Sequence, residues 1–297
     1  MVTIKLVGGL GNQLFGYYLG QAIGKKVRYD VSDQAHGLGS QSVSIKDLNL
    51  PGDFGVFLNR FSAVIPDRFK FLKRLMRKIS LLNQKFLNKS SIYESKSVGF
   101  DSDFDFEKCS FTKIYGYFQS YLYVDAAIAR EPNLQNLELI NSSSWFQVVE
   151  KQIKEIDPIV IHIRRGDYLN LKDTYGILSE EYYLRAIEEF NSLTGVTSPI
   201  WIFSDAPNEI EETMPKLMLL DPKVISSPNG VSDAETLIIM SYASRIVIAN
   251  STFSWWAARI NGLHKLVIAP EKWLRDLPDP ELLIPEHWLK LKSFWLD

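Results

Sequence analysis

The chain has 297 residues, 46% of them hydrophobic and 12% aromatic, and a formal net charge of −2. That is enough apolar material for a sizeable core, the length suggests two domains, and the near balance of charge argues against nucleic acid as a partner. A lone cysteine, Cys109, excludes an internal disulfide and a Cys-rich metal site, and it fits a reducing compartment.

Residues 3–7 (TIKLV) read as a buried strand, Gly8-Gly-Leu-Gly-Asn-Gln turns the chain into a helix over roughly 14–25, and residues 27–31 read as a second strand. Residues 33–57, with scattered Gly, Ser and Asn, read as irregular loop. The segment 68–89 carries eight Lys/Arg and no acid, with Leu72, Leu75, Met76, Ile79, Leu82 and Phe86 at helical spacing, so a basic amphipathic helix is expected there. Residues 112–118 read as another strand. The second half alternates more regularly. Strands are expected at 159–163, 200–203, 223–226, 245–249 and 265–268. Helices are expected near 179–191, after Asp205, near 232–243, and after Ser254 with Gly262 as its cap. Short Val/Ile runs without polar alternation predict parallel sheets covered on both faces. A boundary near Asp157-Pro158 divides the chain into lobes 1–156 and 157–297. The start lacks the pattern of a signal peptide and no apolar run is long enough to span a bilayer, so a cytoplasmic location is expected.

In an open parallel sheet, ligands bind beyond the carboxyl ends of the strands. Reading just past each strand of the second lobe collects Arg164, Arg165 and Asp167; Ser204 and Asp205; and Asn250, Ser251, Thr252 and Ser254. Two consecutive guanidinium forks suit the oxygens of a diphosphate. Ser251 and Thr252, at the start of a helix, suit a second anion contact. The plainer alternatives are an Arg165–Asp167 ion pair and a simple cap at Ser251.

Gly8-Gly-Leu-Gly-Asn-Gln-Leu-Phe, His162-Ile-Arg-Arg-Gly-Asp-Tyr, Phe203-Ser-Asp and Ile248-Ala-Asn-Ser-Thr-Phe-Ser-Trp-Trp-Ala-Ala resemble, in order and spacing, the motifs of bacterial α-1,2-fucosyltransferases, glycosyltransferase family 11. The resemblance implies two Rossmann-like lobes of the GT-B type with a cleft between them, an acceptor side in the first and a donor site in the second. It implies inverting transfer of L-fucose from GDP-β-L-fucose to a galactose-terminated glycan, with no metal or other cofactor. Arg164 and Arg165 would hold the pyrophosphate and His162 would help seat the nucleotide. The Ser251–Ser254 turn, Phe253 included, would hold phosphate, and Gly9, Gly11, Asn12 and Gln13 would approach from the first lobe. Two departures concern nucleotide contacts. Ala206 replaces a second acid after Asp205, and Thr236 replaces an acid that would recognise guanine, leaving Glu235 or Asp233 for that contact. Catalytic candidates are Arg164, Arg165, Asp167 and Asn12. Asp167 stands as general base or as an orienter of Arg165.

Other signals carry less. Gly9-Leu-Gly holds part of a dinucleotide fingerprint, with Asp30 about 20 residues on, which leaves an NAD-dependent oxidoreductase or epimerase as a rival. A sensor that binds a nucleotide sugar without turnover is a second rival. Gly20-Gln-Ala-Ile-Gly-Lys-Lys reads as a helix end rather than a phosphate loop. Asp101-Ser-Asp-Phe-Asp reads as a solvated acidic loop rather than a metal-binding D-x-D. His36, His264 and His287 form no ligand spacing. Trp255 and Trp256 suit a sugar wall or core packing equally, and the 68–89 helix suits packing or peripheral contact with an anionic inner-membrane surface.

Overall fold

A computed structural model describes residues 1–32, 44–56, 91–166, 172–262 and 265–296. The basic stretch 68–89, Asp167, His36 and His264 lie outside them. The chain forms two compact units, Met1–Lys46 with Leu50–Pro132, and Asp47–Asn49 with Asn133–Asp297.

The first unit holds β1 (Val2–Lys5), α1 (Leu10–Ile23), β2 (Val27–Asp30), β3 (Asp53–Gly55), β4 (Ile92–Glu94), β5 (Lys113–Tyr115) and α2 (Tyr121–Arg130). Its sheet is parallel throughout, in the order β3-β2-β1-β5-β4. Helix α1 packs on α2 and is buried on nearly all sides. It begins at Leu10, several residues before the expected start, so Gly11, Asn12 and Gln13 form its first turn. Burial of Leu10, Leu14 and Phe15 outweighs the weak helix propensity of that turn. It ends at Gly24 in a left-handed cap, as a helix end rather than a phosphate loop. The expected loop over 33–57 is partly regular where described, with a 3-10 turn, Ser44–Asp47, and then β3, joined by irregular chain.

The second unit holds α3 (Ser144–Ile156), β6 (Ile159–Ile163), α4 (Lys172–Tyr175), α5 (Glu180–Thr194), β7 (Ile200–Ser204), α6 (Ile210–Thr213), α7 (Pro215–Met218), β8 (Lys223–Ile225), α8 (Asp233–Ser241), β9 (Arg245–Val247), α9 (Thr252–Arg259), β10 (Leu266–Pro270) and β11 (Leu289–Leu291). Its six strands are parallel in the order β8-β7-β6-β9-β10-β11, the 3-2-1-4-5-6 arrangement of a doubly wound sheet. One sheet face, with Ile159, Ile161, Ile163, Ile202 and Val247, packs on Tyr182, Tyr183, Ala186 and Phe190 of α5 and on Met214 and Leu217. The expected pair of Rossmann-like parallel-sheet lobes is therefore present.

Asp157-Pro158 is a tight helix-to-strand joint inside the second unit. Helix α3 packs on α8, and the Asp157 carboxylate accepts from the backbone N–H and hydroxyl of Ser244 at 2.9 and 2.6 Å. Gly262 does not cap α9, as expected from sequence. Lys265 reaches back instead, its ammonium donating to the carbonyls of Ala257 and Ile260, and a Cβ at Gly262 would stand 2.7 Å from the Lys265 chain. Among the described residues no helix is long and apolar enough to cross a membrane.

Candidate functional site

Each sheet has one place where strand order reverses, and loops from neighbouring strands part there to leave a crevice. In the second unit that place lies between β6 and β9, which pair from Ile159↔Arg245 to Ile161↔Val247. Beyond β6 come Arg164 and Arg165; beyond β9 come Asn250, Ser251 and α9. The end of β6 and the first turn of α9 meet through His162 and Phe253, whose rings lie 5.6 Å apart. Arg164 and Ser251 thus share one edge of one sheet.

Arg164 is held by Asp205, from the end of β7. Asp205 Oδ2 stands 3.1 Å from Arg164 Nη1, and Oδ1 accepts the backbone N–H of Arg165 at 2.8 Å. Gly166 makes this closure fit, because a Cβ there would collide with Asp205 Oδ2. Ser251 occupies the N-cap of α9, yet its side chain makes no capping hydrogen bond. The start of α9 is the positive end of its helix dipole, a position that favours an anion. His162 is buried, and that burial, followed by the charge of Arg164, pushes its pKa down to about 3. It is therefore a neutral imidazole near pH 7, and its Nδ1 is buried without a hydrogen-bond partner.

Several expected ligands are turned inward. Arg165 is only 2% exposed, with Nη2 against the Met214 sulfur at 3.8 Å, so it lies beneath the site rather than in it. Asn250 donates to the carbonyls of Tyr175, Gly176 and Trp273. The Ser254 hydroxyl donates to Ser251 and Ala249 carbonyls. Glu235 completes a capping box with Ser232 at the start of α8 and accepts the N–H of Ser143, which commits its carboxylate to backbone rather than to guanine. Trp255 and Trp256 are fully buried, with Trp255 Nε1 donating to the Leu283 carbonyl, so both are packing residues.

In the first unit the reversal lies between β1 and β5. Gly9 is the N-cap of α1, and Gly11, Asn12 and Gln13 follow in its first turn. Gln13 is fully buried, donating to the Gly8 carbonyl and accepting from Ile45 N–H, which makes it a strut rather than a ligand. Asn12 stays half-buried at the edge, and its Oδ1 accepts from Gln119 Nε2 at 3.0 Å. Gln119 was not among the expected site residues, although reading just past the strand at 112–118 would have found it.

The acidic run is not wholly solvated, as the sequence suggested. Asp101 is buried and accepts from Tyr93 and Ser95 hydroxyls, each at 2.7 Å. Burial would raise its pKa, but these bonds and the N–H groups of Asp103 and Lys96 hold it below the usual carboxylate value. Among the described residues no group of three or more His, Cys, Asp or Glu stands together to hold a metal ion.

A family model described as Glycosyl transferase family 11 matches residues 81–281. The chain is 26% identical to the O-antigen biosynthesis glycosyltransferase WbnK of Escherichia coli, over 96% of this chain and 99% of that one. It is 24% identical to an alpha-1,2-colitosyltransferase of Escherichia coli, over 99% of each. A galactoside 2-alpha-L-fucosyltransferase of Caenorhabditis elegans is 27% identical over 53% of this chain and 45% of its own length.

Proposed function

The chain belongs to glycosyl transferase family 11, and from that premise we propose that it transfers L-fucose from GDP-β-L-fucose, with inversion, to a galactoside hydroxyl, O2 by family expectation. One observation carries the reading. Arg164 and the Ser251 end of α9 stand on adjacent strand ends at the reversal point of the second sheet, where a nucleotide's diphosphate is best placed.

Cleavage of the C1–O bond leaves positive character on the sugar and negative charge on the departing diphosphate. Arg164 supplies a planar pair of donors to that charge, fixed in advance by Asp205. The positive end of the α9 dipole favours that charge as well. These protein cations and dipoles take the part a metal plays in other transferases, so we propose a metal-independent reaction. Neutral His162 adds no competing charge and borders the nucleotide together with Phe253. Asp167, the candidate base, lies outside the described residues. With Glu235 committed to the α8 cap, Asp233 is the remaining candidate for guanine.

Colitose is L-fucose without its 3-hydroxyl, so relatives named for the two sugars frame the donor question sharply. The test is product analysis after incubating the protein with GDP-L-fucose or GDP-colitose and a panel of β-galactosides, with and without EDTA. A fucosylated product linked at O2 and unchanged by EDTA is expected. Colitosyl product alone would overturn the donor assignment, loss in EDTA the metal-independent one, and no product with either donor the transferase reading.

A further inference from the structure

We propose that Asn250 is a positioning residue for the donor diphosphate, whose buried amide ties the far end of the loop that begins at Arg164 to the start of α9. The inference rests on the donor reading above.

Arg164 opens the loop that joins β6 to α5, and Ser251 opens α9. Asn250 precedes Ser251 in the chain, is 2% exposed, and reaches the far end of that loop. Its Nδ2 donates to the carbonyls of Tyr175 and Gly176 at 3.0 and 3.2 Å, and to that of Trp273, just beyond β10, at 3.2 Å. Three inward-facing carbonyls require a donor at this point, because an oxygen there would meet only acceptors. One side chain thus joins the loops that follow β6, β9 and β10.

Each joined segment is also held from its other side. Trp273 and Leu274 donate their N–H groups to Asp279 Oδ1 at 2.9 and 2.8 Å. Leu178 pairs with Trp295, the Ser179 N–H donates to the Phe294 carbonyl, and the Leu296 N–H donates to the Ile177 carbonyl, the last two at 2.7 Å. Gly176 lets this segment pass between Asn250 and Trp295. It sits at φ 76°, and a Cβ there would stand 2.5 Å from the Trp295 ring.

The loop after β6 is therefore anchored at both ends, by Asp205 at Arg164 and Arg165, and by Asn250 at Tyr175 and Gly176. A loop anchored at one end alone would have more conformations to lose when an anion orders it. The same amide sets the peptide entering α9 relative to that loop, so the two anion contacts keep their spacing before the donor arrives.

The test is calorimetric titration of the wild type and variants with GDP and with GMP, which lacks the second phosphate. Asn250→Ala should lower GDP affinity about tenfold and GMP affinity less than about threefold. A residue that served folding alone would lower both alike. Gly176→Ala displaces the same carbonyl with Asn250 intact, should show the same selective loss, and decides the matter where Asn250→Ala does not fold. Equal loss for both nucleotides, or wild-type GDP affinity in the folded variant, would overturn the proposal. A wild type that binds GDP no more tightly than GMP would end the donor reading itself, and this inference with it.

Discussion

The carboxylate of Asp205 stands 3.1 Å from Nη1 of Arg164, and each side chain is 23% exposed. An ion pair this open adds little to stability, roughly 1 kcal/mol or less. Its consequence is orientation, because the second carboxylate oxygen also holds the N–H of Arg165 and so fixes the loop after β6. Arg164→Lys keeps the charge and loses the fork, and we expect kcat to fall about a hundredfold with the fold intact. Asp205→Ala should cost about tenfold in kcat/KM with only a small change in melting temperature. Steady-state kinetics beside thermal unfolding measure both, and near-normal turnover in Arg164→Lys would remove that residue from the mechanism.

Gly166 offers an independent route to the same relationship. A methyl group there meets Asp205 Oδ2 and displaces it from Arg164. Gly166→Ala should therefore reproduce the kinetic loss of Asp205→Ala. Because both act on one contact, the double variant should lose little more than either single one. Fully multiplicative losses would show that the glycine serves something else.

Both parallel sheets were legible in the amino-acid pattern, because short Val/Ile runs followed by helical stretches admit few other arrangements. So was the gathering of Arg164, Asp205 and Ser251 at one edge of the second sheet, since each stands just past a strand. Side-chain direction was not legible. Arg164 and Arg165 are adjacent and chemically identical, yet one faces the edge and the other the core beside Met214. Asn250, Ser254 and Glu235 carry ligand-like groups that backbone carbonyls and N–H groups claim first; the partners of Asn250 and the Ser143 partner of Glu235 are remote in sequence, while Ser254 bonds within its own turn. Strands β3, β4 and β11 place none of their three residues in the buried core and so carry no apolar run, whereas the equally short β5, β8 and β9 each bury at least one residue.

Glu235 tests that distinction. In the structure its carboxylate closes the N-terminus of α8 and takes the N–H of Ser143. Glu235→Ala should lower stability by about 1–2 kcal/mol through loss of the capping box and of the Ser143 contact. Inhibition by GDP relative to UDP should stay as in the wild type. A collapse of that preference, with stability unchanged, would return Glu235 to the guanine site.

His162 makes stability depend on pH in a direction that can be worked out. Its pKa falls from 6.5 in the open chain to about 3 in the fold, through burial first and the Arg164 charge second. Below pH 6.5 the unfolded chain takes up a proton that the folded one refuses, so the unfolded state gains and stability drops as pH falls towards 3. The limiting slope is about 1.4 kcal/mol per pH unit for one proton. Between pH 7 and pH 5.5 the accumulated loss is about 1 kcal/mol. Other groups titrate over the same range, so the informative quantity is the difference between the wild type and His162→Gln in urea unfolding at the two pH values. The wild type should lose that extra amount and the variant should not. An equal pH dependence in both would mean that the imidazole reaches solvent and takes its proton in the folded protein. A neutral His162 beside Arg164 would then no longer hold.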